Sequence, residues 1–169
     1  CALARRIAWR GRTVNVMNEF FATTADVYRS TGELDAAHDQ QPSADGAAKD
    51  SAATHARLAR MIGLDGRDGS AGDWLEFART WRAAQCDELR EQMARVLAAH
   101  GDVQITVAVA AGSGAFLVPE LAPPAWADGR ALDYGRDIAR AAAPEVAAWS
   151  RVAAPAVAVA LLFNDAETV

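Results

Sequence analysis

Ile7 and Trp9 alternate with their neighbours, Val14 and Val16 do the same, and Arg10-Gly11 lies between the two pairs. A period of two broken by a glycine predicts a hairpin over residues 3–17. The period then lengthens. FFATTADVYRSTGEL, residues 20–34, puts Phe20, Thr24, Val27, Tyr28 and Thr31 on one helical face, with Gly32 as the stop. Asp26 and Arg29 fall opposite that stripe, which predicts a solvated face for both. Residues 35–54 lose the pattern and form a loop. A short helix from Ser51 to Ile62 closes at Gly63, and LDGRDGSAG is a second connection. Asp73 then caps the longest helix, in which Trp74, Phe77, Trp81, Ala84, Leu89, Met93 and Val96 hold one face as far as Gly101.

From Val103 to Ala110 the chain is apolar or small on both sides of a strand, the pattern of a central strand covered on both faces. After AGSG, residues 111–114, Ala115 to Leu121 starts a helix that Pro123-Pro124 ends. The remainder reads as alanine-rich helices divided near Pro144 and Pro155, the last buried nearly all round. The fold class is α/β and helix-rich. One strand and one hairpin are too little sheet for so much helix, so part of the sheet is expected to lie outside this chain.

Composition narrows the partners. The chain has 169 residues, 51% hydrophobic and 23% charged, enough for one sizeable core. A net charge of -5 with no basic cluster argues against nucleic acid and anionic membrane surfaces. Val152 to Phe163 is too short to span a bilayer, and a cytoplasmic location is expected. Cys1 and Cys86 have no CxxC or neighbouring His, so both read as reduced thiols.

Few motifs carry chemistry by spacing alone. AGSGAF, residues 111–116, stands where a strand becomes a helix, and its glycines allow a base or phosphate to approach the backbone. It is neither GxGxxG nor a P-loop, so by spacing alone a tight packing turn is the first explanation. Asp39, Asp45 and Lys49 offer either a hard-cation and phosphate site or a solvated loop. His38, His55 and His100 lack a catalytic partner in sequence and read as surface residues. Ser113 lies outside a GxSxG elbow, and the Trp residues read as core.

CALARRIAWRGRTVNVMNEFFATTADVYRSTGEL, PSADGAAKDS, RLARMIG, AAGSGAFLV and APAVAVALL, taken in order, resemble hydantoinase/oxoprolinase-like proteins of the tetrahydromethanopterin-linked C1 transfer pathway. That group is similar to the synthase joining the aminomethylfuran and glutamyl-tyramine units of methanofuran. The resemblance implies an actin-like, sugar-kinase-like, Hsp70-like ATPase fold of two lobes. Residues 1–169 would be the C-terminal lobe: a hairpin and signature helix in 1–34, a loop and helical part in 35–101, and a nucleotide-type strand, turn and terminal helices in 102–169. The family's N-terminal lobe carries a DxGxTTTD phosphate loop that has no counterpart here. With Cys1 at the start, the expectation is a fragment, inactive alone, whose partners include that N-terminal lobe and a second copy of itself.

The resemblance also places functional residues. Gly112, Ser113 and Gly114 would contact ATP or another phosphorylated ligand. Asp45 would hold Mg²⁺, Lys49 the leaving phosphate, and Asp26 would serve as base or as an orienting group. The implied activity is a transferase condensing a furan pyrophosphate with a phenol. An ATP-dependent hydantoinase/oxoprolinase-like hydrolase or small-metabolite kinase is the alternative, and a non-catalytic interaction lobe is the third.

Overall fold

Arg10 (φ 49°) and Gly11 (φ 72°) both adopt left-handed backbone. A two-residue type I′ turn requires that at both positions, and its twist matches that of the strands it joins. β1 (Arg6–Trp9) therefore pairs antiparallel with β2 (Arg12–Asn15), Ile7 opposite Val14 and Trp9 opposite Arg12. The Arg10 guanidinium lies over the Trp9 ring at 5.3 Å and pairs with Asp73 at 3.6 Å, contacts that offset the strain of a non-glycine residue there. This computed structural model describes residues 6–101, 105–121 and 130–166. They form a mixed α/β, helix-rich chain with small sheets. It divides into two units, residues 1–93 and 94–169.

In the first unit, α1 (Thr24–Thr31) follows Thr23, whose amide donates to Asp26 Oδ2 at 2.9 Å in a capping box. The expected start at Phe20 is corrected: that side chain is 63% exposed, because the cap sits three residues later and turns Ala22, Asp26 and Val27 inward. Gly32 ends α1 at φ 77°. α2 (Ser51–Arg60) is capped by Asp50, whose carboxylate accepts from the Ala53 amide at 2.8 Å. α3 (Ala71–Ala99) starts one residue after Ser70, which exchanges bonds with Asp73; Asp73 is thus the cap's partner at the third residue of the helix and not the cap itself.

Trp74, Phe77, Ala78 and Trp81 on α3 meet Ile7, Val27, Leu58 and Met61 in the core. Each of the larger aliphatic and Phe side chains, fully buried, contributes about 1.5–3 kcal/mol. Trp9 stacks on Trp74 at 5.4 Å, and Phe77 meets Trp81 edge-on at 5.5 Å. The buried face stops at Cys86, so the expectation for Leu89 and Val96 is corrected: they are 37% and 57% exposed, beyond the reach of this core.

In the second unit, β3 (Val107–Ala110) pairs in parallel with β4 (Arg130–Asp133), a strand the apolar pattern does not predict. Val107 and Val109 are 43% and 45% exposed while Ala108 is buried, which corrects the strand covered on both faces. Residues 103 and 104 of the expected strand, Pro123-Pro124 and Trp126 lie outside the described residues. The AGSG turn leads into a 3-10 turn, Ala115–Leu117, and α4 (Val118–Leu121). After β4 a π-helical segment, Tyr134–Ile138, packs on α5 (Pro144–Val152). A Cβ on Gly135 would stand 1.8 Å from the Ala147 carbonyl oxygen, so only glycine permits that approach. α6 (Ala154–Ala166) shows Val159, Leu162 and Phe163 at 65–70% exposure, correcting the helix buried all round: an apolar composition does not by itself supply a cover. Among the described residues no single helix is long and apolar enough to cross a membrane; α5 and α6 pass by length and composition only as a pair bent by 100°.

Candidate functional site

Arg57 occupies the inward stripe of α2, three residues after Thr54 and beside Leu58. Its guanidinium is fully buried and needs a carboxylate there. Asp26, 1% exposed on α1, provides it: Asp26 Oδ1 accepts from Arg57 Nε at 2.8 Å and from Arg29 Nη1 at 2.7 Å, while Oδ2 accepts from the Thr23 amide. The solvated face expected for Asp26 and Arg29 is therefore corrected. Helical spacing opposite an apolar stripe signals solvent only when no second helix covers that side, and α2 covers it.

The loop acids complete the network. Asp39 accepts from Arg29 and from Lys49 Nζ at 3.0 Å, and Lys49 also donates to the Asp39 carbonyl. Asp45 accepts from Arg57 Nη1 at 3.1 Å and Arg60 Nη1 at 2.8 Å. Burial pushes Asp39 upward, yet the hydrogen bonds from Arg29 and Lys49 hold it below the ordinary carboxylate range. Burial likewise pushes Asp45 upward, yet the hydrogen bonds from Arg60, the Ala47 amide and Arg57 outweigh it and lower the carboxylate to about 2. Thr54 Oγ1 accepts from both Arg29 and Arg57, at 3.1 and 3.2 Å.

Beside this network FFATTADVY, residues 20–28, forms one wall of a pocket of about 300 Å³. Phe20, Ala22, Thr23, Thr24 and Val27 line one side, and Leu58, Trp81 and Gln85 the other. The Tyr28 hydroxyl donates to Gln85 Oε1 at 2.7 Å. Asp26 thus sits behind the pocket wall, holding Thr23, while Asp45 and Lys49 are engaged in the loop; neither of these is among the lining residues. Sequence reasoning missed Arg57, Trp81 and Gln85 as site residues. An arginine on the apolar stripe of α2 is the signal that pointed to a buried acid.

In the second unit, Gly112, Ser113 and Gly114 follow the carboxyl end of β3, and Asp133 ends β4 in register with Ala110. Ligands of parallel sheets bind outside such strand ends. Gly112 takes φ 84°, and its amide donates to the Arg151 carbonyl at 2.8 Å. A Cβ at Gly112 or Gly114 would meet nothing within 4 Å, so this turn opens onto free space. The dipole expected of a following helix is small, since a 3-10 turn and a four-residue α4 follow. Asp133 pairs with Arg151 at 2.8 Å; burial pushes its carboxyl upward, yet the Arg136 amide and Arg151 hold it below its ordinary range.

Among the described residues no group of three or more His, Cys, Asp or Glu is placed to hold a metal ion. Asp45, whose oxygens face two arginines and the Ala47 amide, does not fit the role of a Mg²⁺ ligand. His100 is exposed and His38 and His55 are half-buried; burial lowers the His55 pKa. No protein-family model matches the chain, and none of the curated proteins matches it.

Proposed function

We propose that this chain is the substrate-binding part of a transferase of one-carbon cofactor biosynthesis, of the methanofuran-forming type, built on a lobe of the actin-like ATPase fold. The observation that carries this reading is the place of FFATTADVY: a segment that carries part of the resemblance is one wall of the pocket. Phe20 and Trp81 offer flat apolar surfaces suited to a furan or phenol ring, and Thr24 and Gln85 offer polar anchors.

In this reading Asp26 is a positioning residue. Its carboxylate accepts from Arg29, Arg57 and Thr23, so it fixes the pocket wall and does not take up a substrate proton. Lys49 reaches a phosphate only by giving up Asp39. The open turn at Gly112–Gly114 favours a second reading, an ATP-dependent hydrolase or kinase, in which these residues hold the nucleotide.

The test is ligand-dependent melting. Tyramine or a furan pyrophosphate at a hundredfold its Kd is expected to stabilise the protein by about 2.7 kcal/mol. Stabilisation by ATP alone, with no response to phenol or furan, would favour the second reading. No response to any of these ligands would leave the interaction lobe.

A further inference from the structure

We infer that Gln85 is a specificity-determining donor of the FFATTADVY pocket, selecting planar apolar ligands that carry a hydrogen-bond acceptor at the Gln85 edge. This inference rests on the pocket reading proposed above and adds the polarity of its ligand.

The argument begins with the carboxamide. Gln85 lies one turn after Trp81 on α3, and both line the pocket. A carboxamide has one acceptor end and one donor end. Tyr28, 6% exposed on α1, spends its hydroxyl proton on Gln85 Oε1 at 2.7 Å. The acceptor end is thereby taken and the rotation of the amide fixed. Nε2 is left as the end that can serve a ligand, and among the described residues it has no acceptor. The neighbouring hydroxyl at Thr23 does not compete, because it donates to Asp26 Oδ2 at 3.4 Å. Val27 and Leu58 provide no polar group at all. A ligand lacking an acceptor strips water from Nε2 without replacing it, and a stranded donor is penalised more heavily than a satisfied one is rewarded.

Acetophenone and cumene test this directly. They have nearly the same size, and one presents a carbonyl oxygen where the other presents a methyl. Binding to the full chain is followed by the Gln85 side-chain amide and Trp81 indole resonances. The wild type is expected to prefer acetophenone, and Gln85→Leu to lose about fivefold of that preference while binding cumene undiminished. Tyr28→Phe, which frees the amide to rotate, should lower the preference by less, and acetophenone alone should shift the Gln85 amide protons. Gln85→Met serves in place of the leucine variant should the latter not melt cooperatively. Binding of both probes with an unchanged ratio in the Gln85 variants overturns the role of Gln85 and leaves the pocket standing. Failure of the folded wild type to bind either probe overturns the pocket, and the inference with it.

Discussion

Arg57 Nε donates to Asp26 Oδ1 at 2.8 Å, and the two side chains are 0% and 1% exposed. Two helices separated by a long loop are thus joined by a charge pair with no solvent around it. Removing one partner leaves the other buried with one remaining charge partner, Arg29 for Asp26 and Asp45 for Arg57; breaking a buried pair costs about 3–5 kcal/mol, whereas replacing both by apolar groups of similar volume is often neutral. Asp26→Ala and Arg57→Ala are each expected to fall in that range by urea unfolding, and Asp26→Leu combined with Arg57→Met to regain much of the loss. Equal, additive losses in the double variant would show that the pair is not coupled.

Thr54 tests the network from its centre. Its hydroxyl oxygen accepts from Arg29 and Arg57 while the residue is fully buried. Thr54→Val keeps the shape and removes that acceptor, with an expected loss of about 1–3 kcal/mol. Thr54→Ser should lose less, since the oxygen stays. Denaturant midpoints at constant slope distinguish the two; a harmless valine would mean that the guanidinium groups find water instead.

The pH dependence has two parts of the same sign. The unfolded chain protonates Asp39 and Asp45 at about 3.9, above their folded values, so the stability they add is complete above that pH and lost as acid carries the folded protein toward the Asp45 value of about 2. His55, lowered by burial, takes its proton in the unfolded state first, so stability also declines as pH falls below about 6.5. Thermal melts from pH 7 downward should show both declines. Asp45→Asn should flatten the lower one and His55→Gln the upper one.

What the sequence reveals of this molecule is what is local. The hairpin needs only its alternation and Gly11, and α2 needs only Asp50 and a run of helix formers ending near Gly63. Arg57 finds its carboxylate 31 residues away, a distance at which no period operates, and so the acid looked solvated. The short β4 carries too few residues to set a pattern, and α6 shows that apolarity does not reveal whether a cover exists. Within the pocket, Thr24 and Val27 were legible as one face of a predicted helix. Trp81 and Gln85 were not, because a helix of 29 residues gives no sign of where along it a cavity opens.

Gly135 fixes the packing of the second unit. An added Cβ would collide with the Ala147 carbonyl at 1.8 Å, and both groups belong to regular backbone that cannot yield like a flexible side chain. Gly135→Ala is expected to cost about 1–3 kcal/mol or more, as overpacking does. Amide exchange should accelerate in residues 134–152 with the first unit unchanged. Protection equal to wild type in that segment would show that α5 moves aside freely.

Gly112 and Gly114 separate conformation from space. Gly112 holds φ 84°, and alanine there is expected to cost about 1–2 kcal/mol of stability. Gly114 sits at φ -92° with nothing within 4 Å of a built Cβ, so Gly114→Ala should melt like the wild type. A methyl at that site nevertheless projects into the open space beside the turn. If a nucleotide seats there, Gly114→Ala weakens ATP binding without altering the melting temperature of the free protein, whereas a turn that serves packing alone leaves both unchanged. Titration of ATP against the two variants, with free-protein melts alongside, therefore decides whether these glycines exist for the turn or for what rests on it.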